Sequence, residues 1–277
     1  MEIFTYDFVL RALTVGLLVS VCAALLGVSL VLKKYSMIGD GLSHVGFGAL
    51  ACAAAANIAP LPVAVVVVII AAFLLMMLSE RGKIKGDAAI ALISAGALAV
   101  GVVIVSLSGT NIDLNSYMFG SVLSLSSGDV LMSVILCTAV LFLYVFMFAR
   151  IFAVTFDENF ARATGVHTRA CNTLLAVLTA VTVVMGMRLM GALLISSLII
   201  FPSISSMHIF SSYKKVVILS VLLSVFCFIS GFLMSYYLET PTGATVVCVN
   251  VALFFICFVI DKIKYLFFKS KKKTQEG

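Results

Sequence analysis

Nine long apolar runs follow one another along the chain, at about 8–32, 38–56, 61–79, 88–107, 128–149, 170–187, 190–210, 215–237 and 242–261. Each is close to the roughly 17–25 residues that a helix needs to cross a bilayer. None alternates residue by residue as a barrel strand does. The pattern predicts an all-α, polytopic membrane protein with eight or nine spanning helices. The second and sixth runs are the weakest, being rich in small residues or interrupted by Gly. Most connections are short, but two, 108–127 and 150–169, are long enough to carry function.

Composition agrees with the pattern. Of the 277 residues, 63% are hydrophobic and 11% charged, and mean hydropathy is +1.24. Soluble domains hold about 25% charged residues. No polar stretch is long enough for a second domain, so residues 1–265 read as one transmembrane unit and 266–277 as a basic tail, expected to be disordered. No Gly-x-x-x-x-Gly-Lys-Ser/Thr loop occurs, so the chain reads as a non-enzyme, and any ATP-driven step needs a partner that hydrolyses ATP. Cys22, Cys52, Cys137, Cys171, Cys227, Cys248 and Cys257 are scattered, mostly inside apolar runs. They read as small buried hydrophobes rather than disulfides or thiolate ligands.

Charge sets an expected orientation. Sixteen of the eighteen Lys and Arg fall after the first, third, fifth, seventh and ninth runs. The other two, Arg11 and Arg188, stand at helix ends where they can snorkel. The positive-inside rule places the sixteen in the cytoplasm, with the N-terminus outside and the C-terminus inside. The first run lacks a basic n-region and reads as a retained anchor rather than a signal peptide.

Within the long inner connection, Asp157 suits an N-cap, with Glu158 in the first turn and Gly165 as a C-terminal stop. Phe160, Ala161 and Thr164 are expected on one side of that short helix. Two readings stay open on the residues alone: a helix that docks into a partner's cleft, or a loop helix lying on the membrane surface. The outer connection, 108–127, is expected to hold a short re-entrant helix around 116–122.

The sharpest chemical signal is Gly-Asp-Gly-Leu-Ser-His at 39–44. Asp40 and His44, four apart, share a helical face. An ionisable pair at membrane depth is costly and points to function. Carboxylate oxygen with imidazole nitrogen is a ligand set for Zn²⁺ or Mn²⁺. The competing readings are a helix cap for Asp40 and a packing role for His44.

Five motifs then occur in order: GDGLSHVGFGAL (39–50), SYMFGSVLSLS (116–126), TFDENFARATGV (155–166), GALLISSLIIFPSISS (191–206) and TPTGATVVCVN (240–250). Together they resemble the permease subunits of ATP-binding-cassette importers for zinc and manganese, over nearly the whole chain. The resemblance implies a type II importer permease in a bacterial plasma membrane. It also implies a homodimer with the ion path at its interface, two copies of a separate ATPase on the cytoplasmic face, and an extracellular or periplasmic metal-binding protein. It implies further that 155–166 is the coupling helix, carried by Phe156, Asp157, Glu158, Phe160, Ala161 and Gly165, and that Asp40 and His44 belong to the metal path. Two copies of the pair would supply four donors, enough for a four-coordinate Zn²⁺. Gly41 replaces the commoner Ala of the family motif, which weakens the helix start by about 1 kcal/mol.

The expected function is therefore a permease for Zn²⁺ first and Mn²⁺ second, working by alternating access, with no resident cofactor and with ATP on the partner subunit. Its rivals are a permease for metal chelates of the siderophore or cobalamin type, which needs no inner-sphere ligands, and an ATP-independent secondary transporter, which needs no docking helix. Asp113 and Glu239 are minor candidates at the outer mouth. His167 and His208 rank below His44, and Pro202 is expected to kink or end the seventh helix.

Overall fold

The computed structural model describes residues 7–80, 86–108, 120 and 127–275. Eleven helices and no strands are found among them: α1 (Asp7–Leu32), α2 (Ile38–Ala55), α3 (Pro60–Glu80), α4 (Gly86–Ser108), α5 (Ser127–Phe146), α6 (Phe148–Phe156), α7 (Glu158–Ala163), α8 (Thr168–Met190), α9 (Ala192–Ile209), α10 (Tyr213–Leu238) and α11 (Thr242–Gln275). Eight of these are long and apolar enough to cross a membrane. The eight are the expected runs without the second: α2, diluted by Gly, Asp, Ser and His, falls outside them. The backbone helix of α11 continues to Gln275, through the basic residues at the end of the chain.

Helices α1 and α8 form the centre. Buried residues make up 67% of the α1 span and 72% of the α8 span, against 17% for α4 on the periphery. α1 packs on α8, α9, α10 and α5, and α2 lies between α4, α3 and α8. In a bilayer there is no hydrophobic drive between helices, so close approach and hydroxyl contacts must hold them. Both are present. A Cβ on Gly27 would stand 2.1 Å from the Ile199 carbonyl oxygen, so α1 and α9 meet backbone to backbone. Ser224 donates to the Ser20 carbonyl at 3.0 Å and Ser220 to that of Ala24 at 3.4 Å, which fastens α10 to α1.

Pro202 lies inside α9 and does not end it. The buried hydroxyls of Ser203 and Ser206 bond back to the Ile199 and Pro202 carbonyls. Among the described residues, two long-range ion pairs tie the helix ends. Arg188 meets Asp129 at 3.0 Å, joining α8 to α5, so Arg188 has an intramolecular partner besides any snorkelling. His208 Nδ1 meets Asp261 Oδ2 at 3.0 Å, joining α9 to α11.

Candidate metal site and coupling segment

The loop after α1 turns through Lys34, whose φ is +62°, and delivers the chain into α2. The N-cap of α2 is Met37, with no side-chain cap bond. Asp40 is therefore not the cap. It is the third helical residue, where its charge suits the positive helix end. Ser43 is turned inward and donates to the Gly39 carbonyl at 2.8 Å.

Neighbours of the α2 glycines give its orientation. Gly39 faces Ile199 and Ser196 of α9, Gly41 faces Ile90 of α4, and Gly46 faces Met187 of α8 and Val68 of α3. At 100° per residue, Asp40 and His44 project between the directions of α9 and α4. No helix closes that side completely: the two side chains keep 45% and 31% exposure. One turn further, Phe47 is buried beside Gly101 of α4. The open strip thus narrows directly beyond His44.

His44 Nε2 lies 3.6 Å from Asp40 Oδ2. Two ligands of one tetrahedral Zn²⁺ stand roughly 3.3 Å apart, from bond lengths near 2.0–2.1 Å. The pair is slightly wider and could close on an ion with small rotations. The other ring nitrogen of His44, Nδ1, is buried and has no hydrogen-bond partner. Tightly held metal sites fix that nitrogen, commonly to a carboxylate or carbonyl. Among the described residues no group of three or more His, Cys, Asp or Glu could hold a metal ion. The described residues thus offer a carboxylate and an imidazole at this place, with no third His, Cys, Asp or Glu grouped with them.

The connection at 150–169 has more structure than its sequence suggested. α6 is a separate amphipathic helix. Ile151 and Val154 are buried, while Phe148, Phe152 and Phe156 pack, tilted or edge-on, at ring distances of 5.5, 5.0 and 5.7 Å around Tyr213. The Tyr213 hydroxyl in turn bonds Ser29 at 2.8 Å and Tyr144 at 3.1 Å, inside the bundle. The spacing of the three phenylalanines, i, i+4, i+8, was the available signal for α6. Tyr213, 57 or more positions further on, had none.

Asp157 caps α7, accepting from the Phe160 N–H at 2.9 Å. Thr164 follows the last turn, and Gly165 takes φ +85°, a left-handed conformation that glycine adopts without strain. The expected shared face divides. Ala161 is fully buried against Val154 and Cys171, whereas Phe160 is 64% and Phe156 59% exposed. A helix turns about 100° per residue, so adjacent positions can face inward and outward. Glu158 fastens α7 further: Arg162 approaches it at 3.3 Å, and Asn172 of α8 donates to it at 3.4 Å while accepting from Lys33, just past the end of α1. These groups border a cavity of about 590 Å³ at the basic end of the bundle, beside the start of α2.

The remaining candidates are placed differently. Asp113 and nearly all of 116–122, with the expected re-entrant helix, lie outside the described residues. Glu239 is exposed in the left-handed corner that ends α10. His167 is exposed at the N-cap of α8 without a side-chain cap bond.

The chain is similar over nearly its whole length to known transport-system membrane proteins. The family model described as "ABC 3 transport family" matches residues 5–261. A "Probable iron transport system membrane protein" of Haemophilus influenzae is 28% identical, over 95% of this chain and 97% of its own. The "High-affinity zinc uptake system membrane protein ZnuB" of Buchnera aphidicola is 27% identical, over 95% and 100%. The "Manganese transport system membrane protein MntB" of a Synechocystis species is 29% identical, over 93% and 84%. Among solved structures, the PsaBC complex of Streptococcus pneumoniae with Fab superposes with a TM-score of 0.82 and 25% identity, over 93% of both chains.

Proposed function

Because the chain belongs to the ABC 3 transport family, we propose that it is the membrane-spanning permease of an ATP-driven importer of divalent transition metal ions, Zn²⁺ first and Mn²⁺ second. The observation that carries the cargo is the Asp40–His44 pair on the open side of α2. A free cation needs inner-sphere donors to leave water, and relatives are named for zinc, manganese and iron transport. A chelate would need no such donors. Iron stays within the same ligand chemistry.

Two copies of the chain, joined across the open strip, would bring four donors together. With no fixed second shell, such a site binds weakly enough to let the ion leave. Phe156 and Phe160 face outward from a segment held by Asp157, Glu158 and Ala161, and would meet a separate ATPase. ATP binding there would press on α6 and α7, and through Tyr213 on α1 and α5, shifting the dimer between outward and inward states. A metal-binding protein would deliver the ion to the opposite end. Lys33, Arg150, Arg162, Arg169 and Lys214 gather at one end of the bundle, which supports a cytoplasmic location for that end and for the C-terminus.

The test is uptake of radioactive zinc and manganese into proteoliposomes, with and without the ATPase, for wild type and His44→Ala. The expected result is ATP-dependent uptake that collapses in the variant. ATP-independent uptake would favour a secondary carrier. ATP-driven uptake indifferent to the variant would return His44 to packing.

A further inference from the structure

Beside the 155–166 segment two depressions of about 1050 and 400 Å³ adjoin, the larger sharing Arg162 and Arg169 with the cavity that Glu158 borders. They share Gly165, Val166, His167, Ala170 and Leu174. Arg162 and Arg169 line the larger and Arg150 the smaller. No carboxylate lines either one. The side chain of Arg150 donates to the Met147 sulfur at 3.7 Å. The floor is apolar: Leu174 and Val177 lie inside the α8 span, and Met147 immediately follows the α5 span. Phe156 and Phe160, the outward aromatics of the coupling segment, line neither depression.

We propose that this basic, apolar-floored groove binds the headgroup of an anionic phospholipid, with the acyl chains along Leu174 and Val177. A cation is repelled by the guanidinium groups of Arg150 and Arg169, while that of Arg162 is engaged by Glu158 at 3.3 Å, and no carboxylate lines the groove itself. A soluble anion would not use the apolar floor. An anionic headgroup at the cytoplasmic surface uses both parts, and arginine forks match phosphate oxygens. The bound lipid would brace the junction of α5, α6 and α8 against which the coupling segment moves. The inference rests on the orientation proposed above and not on the metal cargo.

The test is native mass spectrometry of the purified full chain in detergent, titrated with phosphatidylglycerol or phosphatidylcholine. Wild type should retain phosphatidylglycerol in preference to phosphatidylcholine. Arg150→Gln and Arg169→Gln should each weaken that binding about fivefold, the effect of one basic residue at a charged surface. Arg150→Lys should keep most of it, and Lys214→Gln with Lys215→Gln, in the first turn of α10, should leave it unchanged. Equal retention of both lipids, or equal loss in the Lys214 and Lys215 control, would overturn the proposal. So would displacement by inorganic phosphate alone, which would mean a small-anion site. Unchanged lipid binding with lost ATPase binding in the Arg150 variant would reassign the groove to the protein partner. Accessibility of the C-terminal tail to protease in sealed vesicles reads the orientation separately.

Discussion

The Asp40–His44 pair and the coupling segment both lie toward the basic end of the molecule, yet they are built in opposite ways. The pair has one mutual contact at 3.6 Å, an unpartnered ring nitrogen and an open flank. The coupling segment is held by a capped helix, a buried alanine, an aromatic stack on Tyr213 and a chain from Glu158 through Asn172 to Lys33. Under the function proposed above, the difference follows from what each would do. A transported ion has to be released, so its ligands would not be locked in a tight geometry. A segment that transmits force to the bundle would have to resist local yielding. On that proposal, looseness in one place and stiffness in the other belong together.

Substitutions can break that contrast, beginning with the largest effect. His44→Ala should lower ATP-driven metal uptake by more than about 100-fold, beyond the cost of losing an outer-shell partner. It should leave thermal unfolding in detergent unchanged or slightly raised, because the wild-type ring already leaves Nδ1 unsatisfied. A large fall in unfolding temperature would mean that His44 is a packing residue. Ala161→Leu should do the reverse. Overfilling a fully buried position costs roughly 1–3 kcal/mol, so stability and ATPase coupling should fall while metal affinity of the isolated permease stays constant. Calorimetry and equilibrium metal binding on one preparation would separate the two.

Tyr213→Phe keeps the aromatic stack and removes the hydroxyl that Ser29 and Tyr144 share. It should cost about 1–3 kcal/mol in stability and reduce uptake per ATP hydrolysed. Unchanged uptake per ATP would show that the aromatic contact alone transmits. The smallest effect is expected for Asp157→Ala. Loss of an exposed N-cap costs about 1 kcal/mol, read as faster amide exchange confined to α7. Exchange spreading into α8 would mean that the two helices are less independent than they look.

Parts of this contrast were legible in the sequence. The cap at Asp157 and the glycine turn at 165 are local devices, set by residues within one helical turn, and the structure has both. Asp40 and His44 were recognisable because two polar groups four apart stand out in an apolar helix. The shared face expected for Phe160 and Ala161 was not kept, since adjacent helical residues point in directions about 100° apart and only the neighbouring α8 decides which is inward. The separate helix α6 was missed because the apolar run of α5 flows into it without a polar break.

Hydropathy and charge are properties of the chain in one dimension. They determined that this is a polytopic helical membrane protein, that it can cross eight or nine times, and which end gathers the basic residues, because lipid requires every spanning backbone to satisfy its own hydrogen bonds. The partners were decided only in three dimensions. Lys33 and Asn172 lie 139 positions apart, Ser29 and Tyr213 lie 184 apart, and His208 finds Asp261 across 53. Such pairs leave no periodic trace along the chain. They form where helix packing brings polar groups out of water together and each becomes the other's cheapest source of hydrogen bonds.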